Sequence, residues 1–265
     1  MIHRIDTLDD PRLRSYRHTG DHAWLRRQHL FMVEGRLVVE RLIRGRRFPV
    51  ESVLITTTAL KPLRSTLEGL DAPIYVVEAP ALARVTGFNF HRGCLALGRR
   101  PGDASVEPIL AGRLIVALEG VGNPDNVGGI FRTAAAFGAT GILLDPTSAD
   151  PYYRKAIRTS MGAVLQVPFA RAADWPACLE RTRWLGFQLV ALTPAAAASV
   201  TLERWASTLA RDDRLALILG TEGDGLSDST LAVADVRVRI PTEPVVDSLN
   251  VVVAAGIVLS RVQRS

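Results

Sequence analysis

Cysteine is nearly absent from this chain: Cys94 and Cys178 stand 84 positions apart, with no CxxC pair and no histidine at ligand spacing. That excludes a disulfide framework and gives no sign of a metal site, so both thiols read as buried, idle groups. Long apolar runs are missing too. The longest, Val251 to Leu259, is far short of the roughly 20 residues a membrane span needs. The opening "MIHRIDTLDDPRLRSYRH" lacks the apolar core of a signal peptide, so the expectation is a soluble, cytoplasmic protein with no membrane partner. Two nucleotide signatures are also lacking. There is no GxGxxG after a strand and no GxxxxGK[ST], because "LGTEGDGL" sets Gly220, Gly223 and Gly225 at another spacing. A standard dinucleotide enzyme and a P-loop NTPase are therefore disfavoured. No internal repeat occurs, and the only biased tract is the short "PAAAAS" at 194–199.

What is present is ordinary globular composition, 48% hydrophobic and 22% charged, over 265 residues, enough for one large or two ordinary domains. Of 32 basic residues 30 are arginine, and they are unevenly placed. Residues 1–110 carry 17 Lys and Arg against 12 Asp and Glu, whereas 111–265 balance at 15 against 15. The excess, with "RRQH" and "RGRRF", fits a surface that meets phosphates; a solvated helix face is the alternative.

The first hundred residues read as a small α/β unit. "FMVEGRLVVERLIRG" (31–45) places Leu37, Val38, Leu42 and Ile43 at helical spacing, "SVLIT" and "IYVVE" read as short buried strands, and "KPLRSTLEGL" and "APALARV" as helices. "GRRPGDASVEP" (98–108) is rich in Gly, Pro and charge and marks a boundary. The division is 1–100, a linker at 101–111, and a second domain over 112–265. From 113 onward six nearly all-apolar runs, "RLIVALEG", "GILLD", "LQVPFA", "FQLVALT", "RLALILG" and "VRVRIP", alternate with helices beginning near 126, 151, 174, 226 and 248. Such runs imply a mostly parallel sheet with helices on both faces, and ligands of such sheets gather at the carboxyl ends of the strands.

Three stretches there carry chemistry. "LEGVGNPDNVGGIFRTAAAFGAT" (118–140) puts Gly128 and Gly129 in the expected first helical turn, at a cost of about 1 kcal/mol each relative to alanine. Asn126 reads as the cap, and Arg132 stands among Gly128, Gly129, Ala135 and Ala136, small residues that leave room for a ligand or another chain. "LGTEGDGLSD" ends a strand in a Gly-rich turn with Glu222, which fits a polar small molecule or plain turn chemistry. "IPTEPVVDSLNVVVAAGIVLSRV" starts a last helix, with Ser248 as its expected cap and Asn250 in need of a buried partner.

In this order "NPDNVGGIFRTA", "LGTEGDGL" and "IP…SLNVVVAAG" resemble the three motifs of the SpoU-type (TrmH-like) branch of the SPOUT RNA methyltransferases, over roughly 114–262. "RTSMGAVLQVP" resembles that family's mid-domain stretch, and "FMVEGRLVVERLI" and "HRGCLALGRR" resemble the ribosomal-protein-like substrate-binding domain often fused ahead of it. The resemblance implies a C-terminal trefoil knot, a homodimer through the C-terminal domain, and S-adenosylmethionine as cofactor, with no metal. It implies methylation of a ribose 2′-hydroxyl in structured RNA, ribosomal RNA being favoured over transfer RNA. It assigns Arg132, Asn126, Glu222, Ser248 and Asn250 to catalysis, and Leu192, Thr193, Gly220, Glu222, Gly223, Ile240 and Leu249 to the cofactor. Thr242 and Pro244 stand where the family has Met and Gly, so the loop between Pro241 and Ser248 is expected to take its own shape. Two rivals are a non-catalytic RNA-binding protein that uses the knot for docking and a methyltransferase acting on a base nitrogen. The joint presence of Arg132, Ser248 and Asn250 argues against both.

Overall fold

The structure, a computed structural model, describes the chain except residues 8, 87–92, 103, 195–198, 222, 244, 247 and 264–265. Its contacts divide into two units: Met1–Gly102 with Tyr152–Gln166, and Asp103–Pro151 with Val167–Ser265.

The first unit holds β1 (Ile2–Arg4), β2 (Leu30–Glu34), β3 (Val50–Thr56), β4 (Ile74–Val77) and β5 (Cys94–Arg99), in the order β1-β4-β3-β5-β2. β1, β4 and β3 run parallel, while β5 is antiparallel to both β3 and β2. Here the expected helix over 31–45 is corrected. Its first residues form β2, whose five residues are all buried, and the helix is Arg36–Gly45. The buried stripe of that helix is Val38, Val39 and Leu42, and Leu37 faces solvent.

Tyr152–Gln166 packs with this first unit although its neighbours on both sides in sequence belong to the second. The reason lies in particular side chains. Tyr152 stacks on Phe31 at 5.1 Å between ring centres and meets Phe48 edge-on, and Arg154 makes a 3.0 Å ion pair with the buried Glu34. Arg41 and Arg47 donate to the carbonyl oxygens of Met161 and Gln166. Breaking such a pair from one side costs about 3–5 kcal/mol, because the buried partner is left uncompensated. Counted by these units, the first carries 20 Lys and Arg against 10 Asp and Glu, and the second 12 against 17. The charge separation is sharper than a cut at residue 110 suggests.

The second unit is built on β6 (Leu114–Leu118), β7 (Gly141–Leu144), β8 (Phe169–Arg171), β9 (Phe187–Leu192), β10 (Val200–Thr201), β11 (Arg214–Leu219) and β12 (Val236–Arg239). All pairings are parallel, in the order β10-β12-β9-β11-β6-β7-β8. Five of the six apolar runs form strands over most of their length, but of "LQVPFA" only Phe169 and Ala170 lie in β8 while Leu165 ends a short 3-10 helix, and the two-residue β10 is too short to leave a pattern. Ile115 and Ala117 face a core containing Trp175, Leu179 and Leu189, yet the intervening Val116 is equally buried, so both faces of the sheet are covered. Residues 101–111 include the short helix Glu107–Leu110, whose Ile109 and Leu110 lie in that core.

The helix with the paired glycines begins at Pro124, so Gly128 and Gly129 occupy its second turn, not its first. Both are buried. A Cβ on Gly129 would lie 2.7 and 2.9 Å from the two methyls of Val252, on the last helix, Val251–Val262. The room made at Gly129 is taken by the chain's own C-terminal helix. We therefore expect Gly129→Ala to destabilise: about 1 kcal/mol of helix propensity is gained, against an overpacking cost of about 1–3 kcal/mol. Thermal melts should show Gly129→Ala a few degrees below the parent and partly recovered by adding Val252→Ala. A single variant as stable as the parent would refute this account of the close approach.

Candidate functional site

The sheet turns direction between β6 and β11: β7 and β8 extend to one side of β6, and β9, β12 and β10 lie beyond β11. Loops at the carboxyl edge near such a point converge on a ligand crevice. One cavity opens at this edge on the β11 side, lined by Leu192, Thr193 and Pro194 at the end of β9, by Leu219, Gly220, Thr221, Gly223 and Gly225 at the end of β11, by Val238, Ile240 and Thr242 at the end of β12, and by Ser248, Leu249, Val251 and Ala254. Leu192, Thr193, Gly220, Gly223, Ile240 and Leu249 are thus brought together, with Ser248 on the same wall. Glu222 and Pro244 lie outside the described residues.

The turn after β11 explains its own glycines. Thr221 pairs with Gly225, and a Cβ on Gly220 would run into the Gly225 carbonyl group. Gly223 and Gly225 have φ of +106° and +74°, which side chains disfavour. The result is a tight loop in which Gly220, Gly223 and Gly225 border the cavity.

Two expected caps are corrected. Asn123, not Asn126, caps the Pro124–Ala136 helix: its Oδ1 accepts from the Asp125 N–H at 2.9 Å. Pro124 then fills the first helical position, where its missing N–H costs nothing, and Asp125 complements the positive end of the dipole. Likewise Asn250, not Ser248, caps the last helix, accepting from the Val252 N–H at 2.9 Å, while Ser248 stays exposed. Asn126 is buried one turn inside its helix, and its Oδ1 accepts from Asn250 Nδ2 at 3.2 Å. That bond answers the need for a partner that Asn250 posed in the sequence. It joins the first stretch to the last directly.

Arg132 points outward from the same helix, flanked by exposed Ala135 and Ala136. Gly128 and Gly129 lie on the buried side, so only the alanines leave space beside it. Among the described residues no hydrogen bond or ion pair engages its guanidinium, and neither Ser248 nor Asn250 holds it.

Sequence reasoning missed two carboxylates. Glu119, just after β6, accepts from the Trp175 indole N–H at 3.1 Å and from the Ser227 N–H at 3.1 Å, fixing the end of the loop after β11. Asp145, just after β7, is buried and accepts from the Ser148 N–H at 2.8 Å, the Ser148 hydroxyl at 2.6 Å and the Thr147 hydroxyl. The signal was "DPTS", an aspartate followed by turn residues at a strand end. Burial alone would raise the Asp145 carboxyl. Hydrogen bonds from Ser148, Thr147 and the Gly120 and Ser148 backbone outweigh it and hold the group below its ordinary value. The cysteines are inert: burial pushes the Cys94 thiol up to about 12 and raises Cys178 as well. Among the described residues no cluster of three or more His, Cys, Asp or Glu could hold a metal, and no helix is long and apolar enough to cross a membrane.

Residues 113–260 match the SpoU rRNA Methylase family. The chain belongs to that family. An uncharacterized tRNA/rRNA methyltransferase of Mycobacterium bovis is 41% identical over 264 residues, covering 97% of this chain and 90% of that protein. Two solved structures match over nearly the full length of both chains. One, an AdoMet-bound rRNA methyltransferase from Sinorhizobium meliloti, has a TM-score of 0.82 at 25% identity and covers 99% of this chain and 98% of that one. The other, an RNA 2′-O ribose methyltransferase, has a TM-score of 0.78 at 27% identity and the same coverage. In this SpoU-family chain the second and last motif stretches line the cavity, and the first is bonded to the last through Asn126 and Asn250.

The lowered Asp145 pKa sets a pH dependence. A carboxyl whose folded value lies below its unfolded value of about 3.9 contributes stability that is complete above that value and is lost as pH falls through the folded one. The stability gap between the parent and Asp145→Asn, from urea melts, should therefore be constant near neutrality and narrow below about pH 4. A gap that widens on acidification would contradict the assignment.

Proposed function

We propose that this chain is an S-adenosylmethionine-dependent RNA methyltransferase that acts on a ribose 2′-hydroxyl, in ribosomal rather than transfer RNA. The Asn126–Asn250 hydrogen bond carries the reading, because it ties the helix bearing Arg132 to the helix whose first residues line the cavity. The cofactor fits the donor set. Leu192, Leu219, Val238, Ile240 and Leu249 supply apolar walls for a purine, and the close-packed Gly220 turn offers backbone N–H and C=O groups to its polar edge. Bound there, the cofactor supplies an electrophilic methyl on a sulfonium.

The acceptor oxygen is a poor nucleophile until its proton begins to leave. The site must orient it and stabilise developing negative charge. Arg132 suits that task as a clamp, since a guanidinium with a pKa above about 12 is a poor base. Its freedom from partners leaves all its donors for substrate phosphate and hydroxyl. In this reading Ser248, which lines the cavity and is exposed, holds the ribose, and Glu222 is assigned to ordering the motif loop or to holding the arginine. The basic first unit captures RNA. The second unit is proposed to close as a trefoil knot and to pair with a second copy. Exposed Val245, Val246 and Val253, in the segments that border the cavity, leave apolar surface for that copy.

Calorimetry with S-adenosylmethionine, and labelled-methyl transfer onto total RNA from a strain lacking this protein, test the reading. Digestion of the product to nucleosides separates a methyl on ribose from one on a base nitrogen. Cofactor binding with no transfer to any RNA would favour the docking module.

Arg132→Ala should lower transfer by about 100-fold or more while cofactor affinity stays within a few-fold, because the arginine faces the acceptor. Near-normal turnover by the folded variant would overturn the clamp. Replacing Arg26 and Arg27, exposed on the first unit, by Gln should weaken RNA binding and flatten its salt dependence, reducing the log–log slope by about 1 to 2. An unchanged slope in titrations at several salt concentrations would mean those charges face only solvent.

A further inference from the structure

Asp145 and Ser148 form a buried polar cluster outside the cavity and away from Arg132, and the proposed chemistry does not use it. Both are about 5% exposed, and the Val121 they reach is 3% exposed. Their bonds run between two loops. The Asp145 N–H donates to the Leu118 carbonyl at 2.9 Å, and the Ala149 N–H to the Val121 carbonyl at 2.9 Å. Between these, the Val121 N–H donates to the Ser148 hydroxyl oxygen at 3.1 Å.

The Ser148 hydroxyl has one proton and two acceptors in reach, Asp145 Oδ1 at 2.6 Å and the Leu118 carbonyl at 3.2 Å. The shorter, charged acceptor takes the proton, since a carboxylate makes the stronger hydrogen bond. The oxygen's lone pairs are then left to face the Val121 N–H. The carboxylate thus sets the direction of the hydroxyl, and the hydroxyl fixes the crossover after β6. Only Gly122 separates Val121 from Asn123, which caps the Pro124–Ala136 helix. A displacement of the crossover is carried into the start of that helix, and so into Asn126 and Arg132. None of Asp145, Ser148 and Val121 lines the cavity.

We propose that Ser148, oriented by Asp145, is a positioning residue for methyl transfer: it latches the crossover after β6 so that the helix carrying Arg132 is aimed at the acceptor hydroxyl. This rests on the methyltransferase reading above. The latch acts on the acceptor side and leaves the cofactor cavity intact.

Ser148→Ala removes the hydroxyl and leaves the buried Val121 N–H unpaired, whereas Ser148→Thr keeps the hydroxyl. Four measurements on the full-length protein decide the matter: the thermal melt, S-adenosylmethionine affinity by calorimetry, amide hydrogen exchange, and the single-turnover transfer rate at saturating RNA and cofactor. For Ser148→Ala, exchange across residues 121–130 should speed up about ten-fold or more, with residues 214–221 unchanged. Cofactor affinity should hold within about three-fold while the transfer rate falls about ten-fold or more. Ser148→Thr should recover most of the rate. Should Ser148→Ala fail to fold, Asp145→Asn, which keeps an oxygen for Ser148 and turns its amide toward Thr147, should show the same pattern at smaller size. Unchanged exchange at 121–130, a rate within about two-fold of the parent, or a parallel loss of cofactor affinity would each overturn the proposal. If the parent transfers no methyl to RNA, the reading of function fails and the catalytic role with it. The exchange experiment still reports separately whether the latch exists.

Discussion

Two helices whose sequences begin more than a hundred residues apart touch closely enough that a Cβ at Gly129 would meet the methyls of Val252 at less than 3 Å. That contact brings Asn126 within 3.2 Å of Asn250, a pair separated by 124 positions. A neutral hydrogen bond of this kind contributes only about 0.5–1.5 kcal/mol net, close to the helix propensity that one glycine forfeits. Stability is therefore a poor reason for the arrangement. Its consequence is geometric: Asn250 spends its oxygen on the last helix and its amide on the first, so the two helix starts are fixed to each other. The cavity wall and the Arg132 helix inherit that fixed relation.

The division of charge follows the units more closely than the numbering. Three cations and no carboxylates lie in Tyr152–Gln166, a segment that packs with the first unit, which takes that unit to a net +10 and leaves the second at −5. Part of the positive charge is consumed internally, since Arg154 and the more distant Arg158 face Glu34. Arg12, Arg44, Arg64 and Arg99 also meet carboxylates, but with their own side chains exposed, and most of the other described cations of the unit are exposed too. An acidic second unit has little long-range attraction for a polyanion, and the proposal that the first unit captures RNA rests on that difference. Because the chain passes between the units at three places, a cut in 98–108 would strip the partners from Tyr152, Ile157 and Leu165 as well as removing charge.

The sequence was legible where periodicity and burial agree. The runs that became β6, β7, β9 and β11 were legible because these strands are buried on both faces, which composition alone betrays, whereas β8 and β12 are only partly buried. The helix over 31–45 failed for a related reason: in Phe31 to Glu34 every residue is buried in a sheet, and such a run carries no helical or strand period of its own. Cap positions were missed by two or three residues because "NPDN" and "SLN" each offer two candidate side chains. Pro124 decides the first, since a proline belongs at the first helical position after the cap. The assignment of Tyr152–Gln166 to the first unit depends on Phe31, Phe48 and Glu34, all far away in sequence, and no local pattern announces it. The Asp145 network was hidden in the same way: its acceptor is local, but what it fastens is the crossover 24 residues earlier at Val121.

Asn126 and Arg132 sit six residues apart on one helix and have opposite environments. Asn126 is 7% exposed and already paired, so its amide is committed to holding the two helices together. Arg132 is exposed, with alanines beside it and no described partner. A group that must stabilise charge appearing only during a reaction gains nothing from being neutralised beforehand, because a standing ion pair would compete with the substrate for its donors. Asp145 is buried and held by Ser148 and Thr147, half-buried Glu119 accepts from Trp175 and Ser227, and buried Asn126 accepts from Asn250. Against these the Arg132 guanidinium has no partner among the described residues, and the helix that carries it is tied to the last helix through Asn126 rather than through the guanidinium itself.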